Sequence, residues 1–279
     1  MQQRRDPARA GSVPAADVEA PSAPPTFWGR TADAPAGLSI VQIIASGTLD
    51  ARTAALAWLC LEQHRSVLVA ALPQGAGKTT LLGALLDLLA STHRVHLAGT
   101  AETFAFLGDT TPDDTLLLAN ELSSHLPIYL WGTQARRAFD AVASGYAIAG
   151  TLHADSADDA MTLLRDECGI PASHLARIDL IIVIHITTEG EHIIERRVSG
   201  AYRTLPGTAG PNTAPLVEWD PVTGGWQHDT AAEAALAGTA LDTRAAFLTD
   251  LVRRGIRGNA AVHTAVRDLR AVQKNGVRP

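Results

Sequence analysis

The stretch 71–80 of the sequence, ALPQGAGKTT, combines residue types that bind phosphate. Glycines let a loop turn so that successive backbone N–H groups point at a phosphate, and the dipole of a following helix adds positive potential. Lys78 supplies a positive charge for the terminal phosphates, and Thr79 supplies a hydroxyl group for Mg²⁺. The pattern predicts a nucleotide-binding loop that consists of Gly75, Ala76, Gly77, Lys78, Thr79 and Thr80.

Leu72 stands where the usual pattern, G-x-x-x-x-G-K-[ST], has its first glycine. A non-glycine residue forced into a sparsely populated backbone conformation costs about 1–3 kcal/mol. Micromolar affinity corresponds to about 8 kcal/mol, so this cost would weaken nucleotide binding without abolishing it. Alternatively, the loop turns differently at Leu72 and uses Pro73. In either case we expect the loop to bind nucleotide.

Two further segments offer candidate catalytic groups at strand ends. The stretch 113–122, DDTLLLANEL, has the pattern of an apolar strand that ends at Glu121. A carboxylate at a strand end is suited to holding Mg²⁺ through water, so Glu121 joins Thr79 as a predicted metal ligand. The stretch 149–164, AGTLHADSADDAMTLL, places His153 between a strand and an acidic-first helix. An isolated histidine is usually only a hydrogen-bonding group, so this segment alone indicates little.

Strand-like and helix-like segments alternate along the middle of the chain. This alternation predicts an α/β fold, in which helices cover both faces of a mostly parallel sheet. The predicted strands are 66–71, 94–98, 115–120, 146–152 and 179–187, and helices are predicted at 132–144 and 156–168. Beyond them, the sequence predicts antiparallel strands and then helices at 242–255 and 259–273.

Composition along the chain predicts four regions. A disordered Pro/Ala-rich tail is followed by a helical lead-in, a nucleotide-binding core, and a C-terminal hairpin with helices. In the lead-in, Thr48 or Asp50 is expected to cap the second helix. The four predicted regions are 1–37, 38–64, 65–200 and 201–279.

Length, charge and cysteine usage exclude several classes of protein. The 279 residues are 46% hydrophobic, which is ample for a core, and the net charge of −6 gives no reason to expect nucleic-acid binding. Cys60 and Cys168 are too far apart for a zinc module, and we expect both to be small buried hydrophobic residues in a reducing compartment. No apolar run approaches the roughly 18–20 residues of a membrane helix, so we expect a cytoplasmic chain.

Together, these segments resemble the superfamily of type II and type IV secretion and type IV pilus ATPases. The resemblance runs from about Ile40 to the end of the chain. Its most specific part is similar to the family's histidine box, with a helix, a glycine, a strand and then His153 followed by an acid. The segments that carry the resemblance are 45–86, 95–106, 116–122 and 144–164, and, more weakly, 216–229 and 244–269.

This resemblance implies a RecA-like P-loop core that hydrolyses ATP with Mg²⁺. It also implies a homo-oligomer, a hexamer in the family, that works with a membrane platform protein at the inner face of the membrane. By position, Lys78 would contact the phosphates, and Glu102 would be the last acid of the family's acidic box and a catalytic base. Glu121 would be the acid of the second nucleotide motif, and His153 would sense the γ-phosphate.

The sequence departs from the family pattern around these acids. Ala98 and Gly99 stand where the acidic box has two earlier acids, and an apparent insertion, 123–132, follows Glu121. An alignment without gaps would put Tyr129 at the position of the second-motif acid. We favour Glu121, because an acid at a strand end makes chemical sense and a tyrosine does not.

Family motors carry a folded N-terminal domain that supplies arginines to the nucleotide, and this chain is expected to lack it. Arg136 and Arg137 could replace those arginines at a subunit interface, although such a pair more often forms the solvated face of a helix. A separate partner chain could equally complete the site.

The leading functional prediction is a Mg²⁺-dependent ATPase that acts as the motor, or a motor subunit, of a pilus-like or secretion apparatus. The alternative is a nucleotide-binding switch or assembly adaptor with low turnover, which needs a partner chain. Two other functions need features of their own: a small-molecule kinase needs an Arg-rich lid, and a nucleic-acid translocase needs basic pore loops. The sequence shows neither feature.

Overall fold

The structure, a computed structural model, describes residues 18–19, 37–89, 92–190, 192–205 and 212–276. The strands in these ranges are β1 (Val18–Glu19), β2 (Ser66–Ala70), β3 (His93–His96), β4 (Thr115–Leu122), β5 (Ala147–Leu152), β6 (Ile178–Glu189), β7 (His192–Leu205), β8 (Asn212–Asp220) and β9 (Gly225–His228). The helices are α1 (Ile40–Ala45), α2 (Ala51–Glu62), α3 (Lys78–Leu86), α4 (Gly132–Ala143), α5 (Ala157–Asp166), α6 (Ala172–Leu175), α7 (Thr230–Ala237), α8 (Leu241–Arg253) and α9 (Asn259–Gly276).

The strands within the described residues form one sheet with the order β1-β3-β4-β5-β2-β6-β7-β8-β9. The five strands from β3 to β6 in this order pair in parallel. The remaining pairs, β1 with β3 and the series from β6 to β9, are antiparallel. This architecture confirms the predicted α/β fold with a mostly parallel sheet and an antiparallel C-terminal extension.

Helices cover both faces of the sheet, because successive side chains of a strand point to opposite sides. Val67 and Val69 of β2 belong to the core on one face, whereas Leu68 and Ala70 belong to the core on the other. The first core also contains residues of α1, α2, α3, α7, α8 and α9. Residues of α4, α5 and α6 contribute to the second core.

The five predicted strands are present, and their ends lie within two residues of the predicted ends. The predicted helices α4, α5, α8 and α9 are present as well. Helix α7 was not predicted, and two residues of the predicted tail, Val18 and Glu19, pair with Val95 and Arg94 of β3. Residues 1–17 and 20–36 lie outside the described residues. The boundary predicted after residue 200 falls inside β7, so the core sheet continues across it.

The lead-in helices pack against the core and are capped by their own sequence. Ser39 and Gln42 form a capping box at the start of α1. Asp50, one of the two predicted caps, accepts a hydrogen bond from the backbone N–H of Thr53 (2.7 Å). Helix α2 is buried along most of its length, and the guanidinium of Arg244 stacks 4.1 Å from the ring of Trp58. This contact fixes α8 against α2.

The two cysteines are buried and unpaired, as predicted. Burial raises the pKa of Cys60 to about 12 and that of Cys168 to about 11, so neither thiol is a reactive thiolate at neutral pH. Among the helices that the structure describes, we find none with the length and hydrophobicity to cross a membrane.

A buried ionic network joins the start of α2 to the C-terminal region. His228 lies between two carboxylates, with Nε2 2.8 Å from Asp50 Oδ2 and Nδ1 2.6 Å from Glu233 Oε1. Glu233 is fully buried and also receives Arg52 Nε at 2.6 Å. Burial alone would lower the pKa of His228, but the hydrogen bonds to Asp50 and Glu233 outweigh it and raise the pKa to about 9. His228 is therefore charged at neutral pH, when it holds these elements together.

We expect this network to make stability depend on pH. Because the folded pKa of about 9 exceeds the ordinary value of 6.5, protonated His228 stabilises the fold fully below pH 6.5. This contribution, about 3 kcal/mol, is lost as the pH rises through about 9. Urea unfolding at pH 6.5 and at pH 9 should therefore show a lower free energy of unfolding at the higher pH.

The variant His228→Gln should lose most of this pH dependence, because an amide does not titrate. His185→Gln is the matched control, since His185 is an exposed histidine of β6 outside the network. An unchanged pH slope in His228→Gln would show that other groups cause the effect.

Candidate nucleotide-binding site

The loop between β2 and α3 has the conformation that its glycines predict. Gly75 (φ +78°) and Gly77 (φ +93°) both adopt the left-handed region, which glycine enters at little cost. Among the described residues, no acceptor receives a hydrogen bond from the backbone N–H groups of residues 75–80. These N–H groups and the positive end of the α3 dipole form a ready site for an anion.

Leu72 does not strain the loop. Gly75 and Gly77 turn the chain, whereas Leu72 is not among the residues with positive φ, and its side chain is 57% exposed. Leu72 therefore does not take the left-handed conformation that would carry a strain cost. The carbonyl oxygen of Leu72 lies 2.8 Å from Nδ1 of His153. The residue that replaces the first glycine thus contributes its backbone to the site.

A cavity of about 260 Å³ lies over the loop. It brings together every sequence-predicted site residue except Glu102. Its lining residues are Gln74, Gly75, Ala76, Gly77, Lys78, Thr79, Thr80, Glu121, Tyr129 and His153. The parallel strands β2, β4 and β5 all end at this edge of the sheet, which is where α/β proteins bind their ligands.

Lys78 is the first residue of α3 and is buried, with its ammonium group directed back over the loop. Its Nζ donates a hydrogen bond to the carbonyl oxygen of Ala71 (3.2 Å). Burial lowers the pKa of Lys78, and the nearby negative charge of Glu121 opposes this effect. A phosphate group would supply the negative charge that this partly desolvated ammonium lacks.

Glu121 is the next-to-last residue of β4, and the strand departs from regular pairing there. The register between β4 and β5 shifts between Ala119 and Leu122, and Thr151 Oγ1 donates a hydrogen bond to the carbonyl oxygen of Asn120 (2.7 Å). This irregularity turns the buried carboxylate of Glu121 toward the cavity. The prediction of an acid at this strand end therefore matches the geometry.

The segment after β4 runs out and returns along the same strand. Leu130 donates its backbone N–H to the carbonyl oxygen of Glu121 (2.8 Å), and Ser123 donates to the carbonyl oxygen of Leu130 (3.2 Å). This return places Tyr129 in the cavity wall near Glu121. Burial and the charge of Glu121 raise the pKa of Tyr129, so the phenol stays neutral. Both residues that the alignments proposed face the cavity, but only Glu121 offers a carboxylate.

His153 links the loop to the acid. Its Nδ1 lies 2.8 Å from the carbonyl oxygen of Leu72, and its Nε2 lies 2.7 Å from Oε1 of Glu121. Any movement of the loop carbonyl therefore acts on the imidazole and, through it, on the carboxylate. This connection suits the predicted role of sensing a phosphate, which stays a prediction.

The structure places Glu102 apart from the cavity lining. Its buried carboxylate accepts hydrogen bonds from the backbone N–H groups of Ala98 (2.8 Å) and Phe104 (2.6 Å). The carbonyl oxygen of Glu102 also accepts from Gln134 Nε2 (2.9 Å). These contacts fold the turn 98–104, in which Phe104 has a positive φ of 62°. In the structure Glu102 therefore caps this turn, and its role as a catalytic base stays a prediction.

Gly99 stands at one of the two positions where the sequence departs from the acidic pattern, and the structure leaves no room for a side chain there. A Cβ atom at Gly99 would lie 2.4 Å from the carbonyl oxygen of Pro127, and the φ of +63° also favours glycine. The inserted segment is held there by Thr100, whose backbone N–H and Oγ1 each donate to the Pro127 carbonyl oxygen at 2.9 Å. A side chain at Gly99 would displace the insertion.

Arginines lie in two different positions relative to the loop. Arg136 and Arg137, predicted as interface residues, are exposed on α4, and the guanidinium of Arg137 covers the ring of Phe104 at 4.4 Å. Arg196 of β7, which sequence reasoning missed, donates from Nε to the carbonyl oxygen of Gly75 (3.1 Å). Only the pairing of β7 with β6 brings Arg196 to the loop, and this register was not readable from local pattern.

A second cavity, of about 510 Å³, adjoins the loop on the side of α1 and Arg196. It shares the loop residues Gly75, Ala76, Gly77 and Thr80 with the first cavity. Apolar side chains from the lead-in, from α3 and from the sheet contribute to its wall: Leu38, Ile43, Leu81 and Ile184. The loop therefore separates the first, more polar cavity, called the phosphate cavity from here on, from a larger and more apolar one, called the apolar cavity.

The residues at the phosphate cavity also fit a magnesium ion. Thr79 is exposed at the start of α3, so its hydroxyl group is accessible. Glu121 Oε1 is buried and receives no well-aligned hydrogen bond within the part of the chain that the structure describes. Hydroxyl and carboxylate oxygens are the donors that this hard cation prefers.

The parallel sheet, the glycine loop and the helix that starts at Lys78 define a P-loop α/β protein. Similar solved structures include the VirB11 ATPase from the Brucella suis type IV secretion system in complex with sulphate, with 18% identity and a TM-score of 0.34 over 51% of each chain. Two structures of the ATPase DotB, from two organisms, are also similar to this chain, each with 13% identity. In Legionella pneumophila the TM-score is 0.34 over 68% of this chain and 53% of that one, and in Yersinia pseudotuberculosis it is 0.37 over 76% and 55%.

This chain thus spans about half the length of the solved structures that it matches. No protein-family model matches the sequence, and neither does any curated protein.

The backbone conformation of Leu72 leads to a prediction about nucleotide affinity. Because Leu72 is not in a left-handed conformation, Leu72→Gly removes no strain and should change the affinity for a fluorescent ATP analogue by less than about threefold. Lys78→Ala, measured alongside, should lose binding. A tenfold gain in affinity for Leu72→Gly would show that the leucine does strain the loop.

The contacts of Glu102 predict a loss of stability in Glu102→Gln. The new amide places an N–H donor against one of the two backbone N–H groups, so one buried donor loses its acceptor, at a cost of about 1–3 kcal/mol. Chemical denaturation should show this loss, and Glu102→Asp is the matched control for charge. If the glutamine variant keeps full stability and loses only ATP turnover, Glu102 is catalytic after all.

Proposed function

We propose that this chain is a Mg²⁺-dependent ATPase of the secretion and pilus superfamily, acting as a motor or a motor subunit. One observation carries the proposal. Residues 75–80, whose backbone N–H groups have no well-aligned acceptor among the described residues, line a cavity together with Glu121 and His153. Phosphate binding explains the N–H groups and the lysine, and hydrolysis explains why a buried acid shares their cavity.

Each side chain has a distinct part in this proposal. The loop N–H groups and Lys78 stabilise negative charge on the transferring phosphoryl group. Thr79 and, through water, Glu121 would hold a magnesium ion, which would neutralise charge on the phosphate oxygens. His153 reports the presence of the γ-phosphate to Leu72 and Glu121, because it contacts both.

The nucleoside part of the nucleotide would lie in the apolar cavity. The apolar cavity meets the loop at the same glycines as the phosphate cavity, so a nucleotide can extend from one to the other. Leu38 and Ile43 offer apolar surface to a base, and Arg196 stands over the loop between base and phosphates. The lead-in helix α1 therefore takes part in nucleotide binding.

We further propose a homo-oligomer, a hexamer by resemblance, on the cytoplasmic side of a membrane platform protein. A copy of the chain or a separate partner chain would supply arginines to the exposed side of the phosphate cavity. Arg136 and Arg137 are accessible on α4 for this purpose. We expect no nucleic-acid partner, given the net charge of −6.

A second function, a nucleotide-binding switch with low turnover, is favoured by the position of Glu102. Glu121 is the sole acidic side chain among the described residues that line the phosphate cavity. If Glu121 holds the magnesium water shell, a second carboxylate to orient the attacking water has to come from elsewhere. The bound nucleotide would then mainly order an interface with a partner.

Turnover across protein concentration tests the proposal and separates the two functions. We expect ATP hydrolysis that rises more steeply than linearly with the concentration of the chain, because sites are completed between subunits. Lys78→Ala and Glu121→Gln should each lower turnover about 100-fold or more. Only Lys78→Ala should abolish ATP binding.

Asp179→Asn serves as a control, since Asp179 binds Arg65 and the start of β2 outside the cavity. ATP binding without turnover at any concentration would support the switch. Absence of ATP binding in the unmodified chain would refute both functions.

A further inference from the structure

Glu121, His125 and His153 bring three metal-ligating side chains to one point beside the phosphate cavity. The candidate ligand atoms of all three lie within 4.8 Å of one another, and no other such group of three is found among the described residues. His125 belongs to the inserted segment and has no part in the nucleotide chemistry proposed above. The insertion therefore adds a histidine to a pair that already faces the loop.

Contacts outside the cluster orient both imidazole rings. Nδ1 of His153 lies 2.8 Å from the Leu72 carbonyl oxygen, which can only accept, so Nδ1 carries the hydrogen. In the neutral ring, Nε2 then presents its lone pair on the side of Glu121. Nδ1 of His125 lies 2.5 Å from Ser123 Oγ, which leaves Nε2 for a ligand. Metal-binding histidines in proteins are held in the same way by a second hydrogen bond.

The contact between His153 and Glu121 can hold a cation. Nε2 and Oε1 are 2.7 Å apart, yet they do not meet with the alignment of a hydrogen bond, and Oε1 has no other partner in the described residues. Two such atoms are held together by a positive charge, which either a proton on Nε2 or a metal ion supplies. A metal ion would replace the proton and bind both atoms.

The donor set indicates which metal. Two imidazoles and one carboxylate with an open fourth position form a common zinc site, in which the ligand atoms lie about 2.0–2.2 Å from the ion. A tetrahedral site with such bonds has its ligands about 3.3–3.5 Å apart. To reach that spacing, His153 Nε2 and Glu121 Oε1 would move apart from 2.7 Å, and the exposed His125 would rotate toward them. The exposure of His125 also gives the ion a path from solvent. Magnesium, by contrast, prefers oxygen ligands.

We propose that Glu121, His125 and His153 bind one Zn²⁺ ion when no nucleotide is present. Zinc binding needs only the three side chains and is independent of the proposed ATPase function. The ion would occupy the carboxylate that magnesium needs and would fix His153 in place. If the chain is an ATPase, zinc is therefore an inhibitor that acts through the insertion.

The test uses the untagged full chain without nucleotide or magnesium. Titration with Zn²⁺ against a chromophoric chelator should show one tight site per chain, and Co²⁺ should give the visible absorption of a tetrahedral nitrogen–oxygen site. His125→Gln should weaken Zn²⁺ binding at least tenfold and abolish the cobalt spectrum, while ATP affinity stays unchanged. His185→Gln, outside the cluster, should bind Zn²⁺ as the unmodified chain does.

Equal zinc affinity in His125→Gln, or no zinc binding by the unmodified chain, would overturn the proposal. Inhibition is a separate measurement. Zinc should lower ATP turnover of the unmodified chain and should not lower that of His125→Gln at the same concentration. Zinc binding by a chain without turnover would support the site and refute only the ATPase function. Equal inhibition of both chains would show that the cluster is not the inhibitory site.

Discussion

The hydrogen bonding of β2 is the constraint on which the rest of the structure depends. All five residues of this strand are buried, so each of its backbone N–H and C=O groups needs a partner inside the protein. The parallel neighbours β5 and β6 provide these partners on both sides. Pairing in parallel aligns the ends of β2, β4 and β5 at one edge of the sheet, and the loop that follows β2 must open there. The meeting of Lys78, Glu121 and His153 is a consequence of this alignment.

At that edge, one imidazole carries the connection between the loop and the acid. His153 contacts the carbonyl oxygen of Leu72 on one side and the carboxylate of Glu121 on the other. The same ring takes part in the proposed nucleotide sensing and in the proposed zinc site. These two roles compete, because a ring fixed by an ion cannot also follow the movement of the loop. Zinc and nucleotide would thus stabilise different arrangements of one small group of atoms.

The features that local pattern determines were predictable from the sequence. A buried parallel strand is a short apolar run, and a phosphate loop has glycines before a lysine. The sequence therefore predicted β2, α3 and the acid at the end of β4. It did not predict that Arg196 and His125 lie at the site, because they reach it through the register of β7 and through a segment that returns to β4. The backbone contacts of Glu102 could not be predicted from the sequence either. Whether a carboxylate faces a cavity or caps its own turn depends on two backbone N–H groups that only the folded turn presents.

The contact between Gly99 and the segment 123–132 also couples position 99 to the wall of the phosphate cavity. A side chain at position 99 and a segment docked through Pro127 would occupy the same space. An acid introduced at position 99 would therefore displace the segment that carries His125 and Tyr129, and Tyr129 lines the cavity. The shape of this wall thus depends on a residue that does not itself line the cavity.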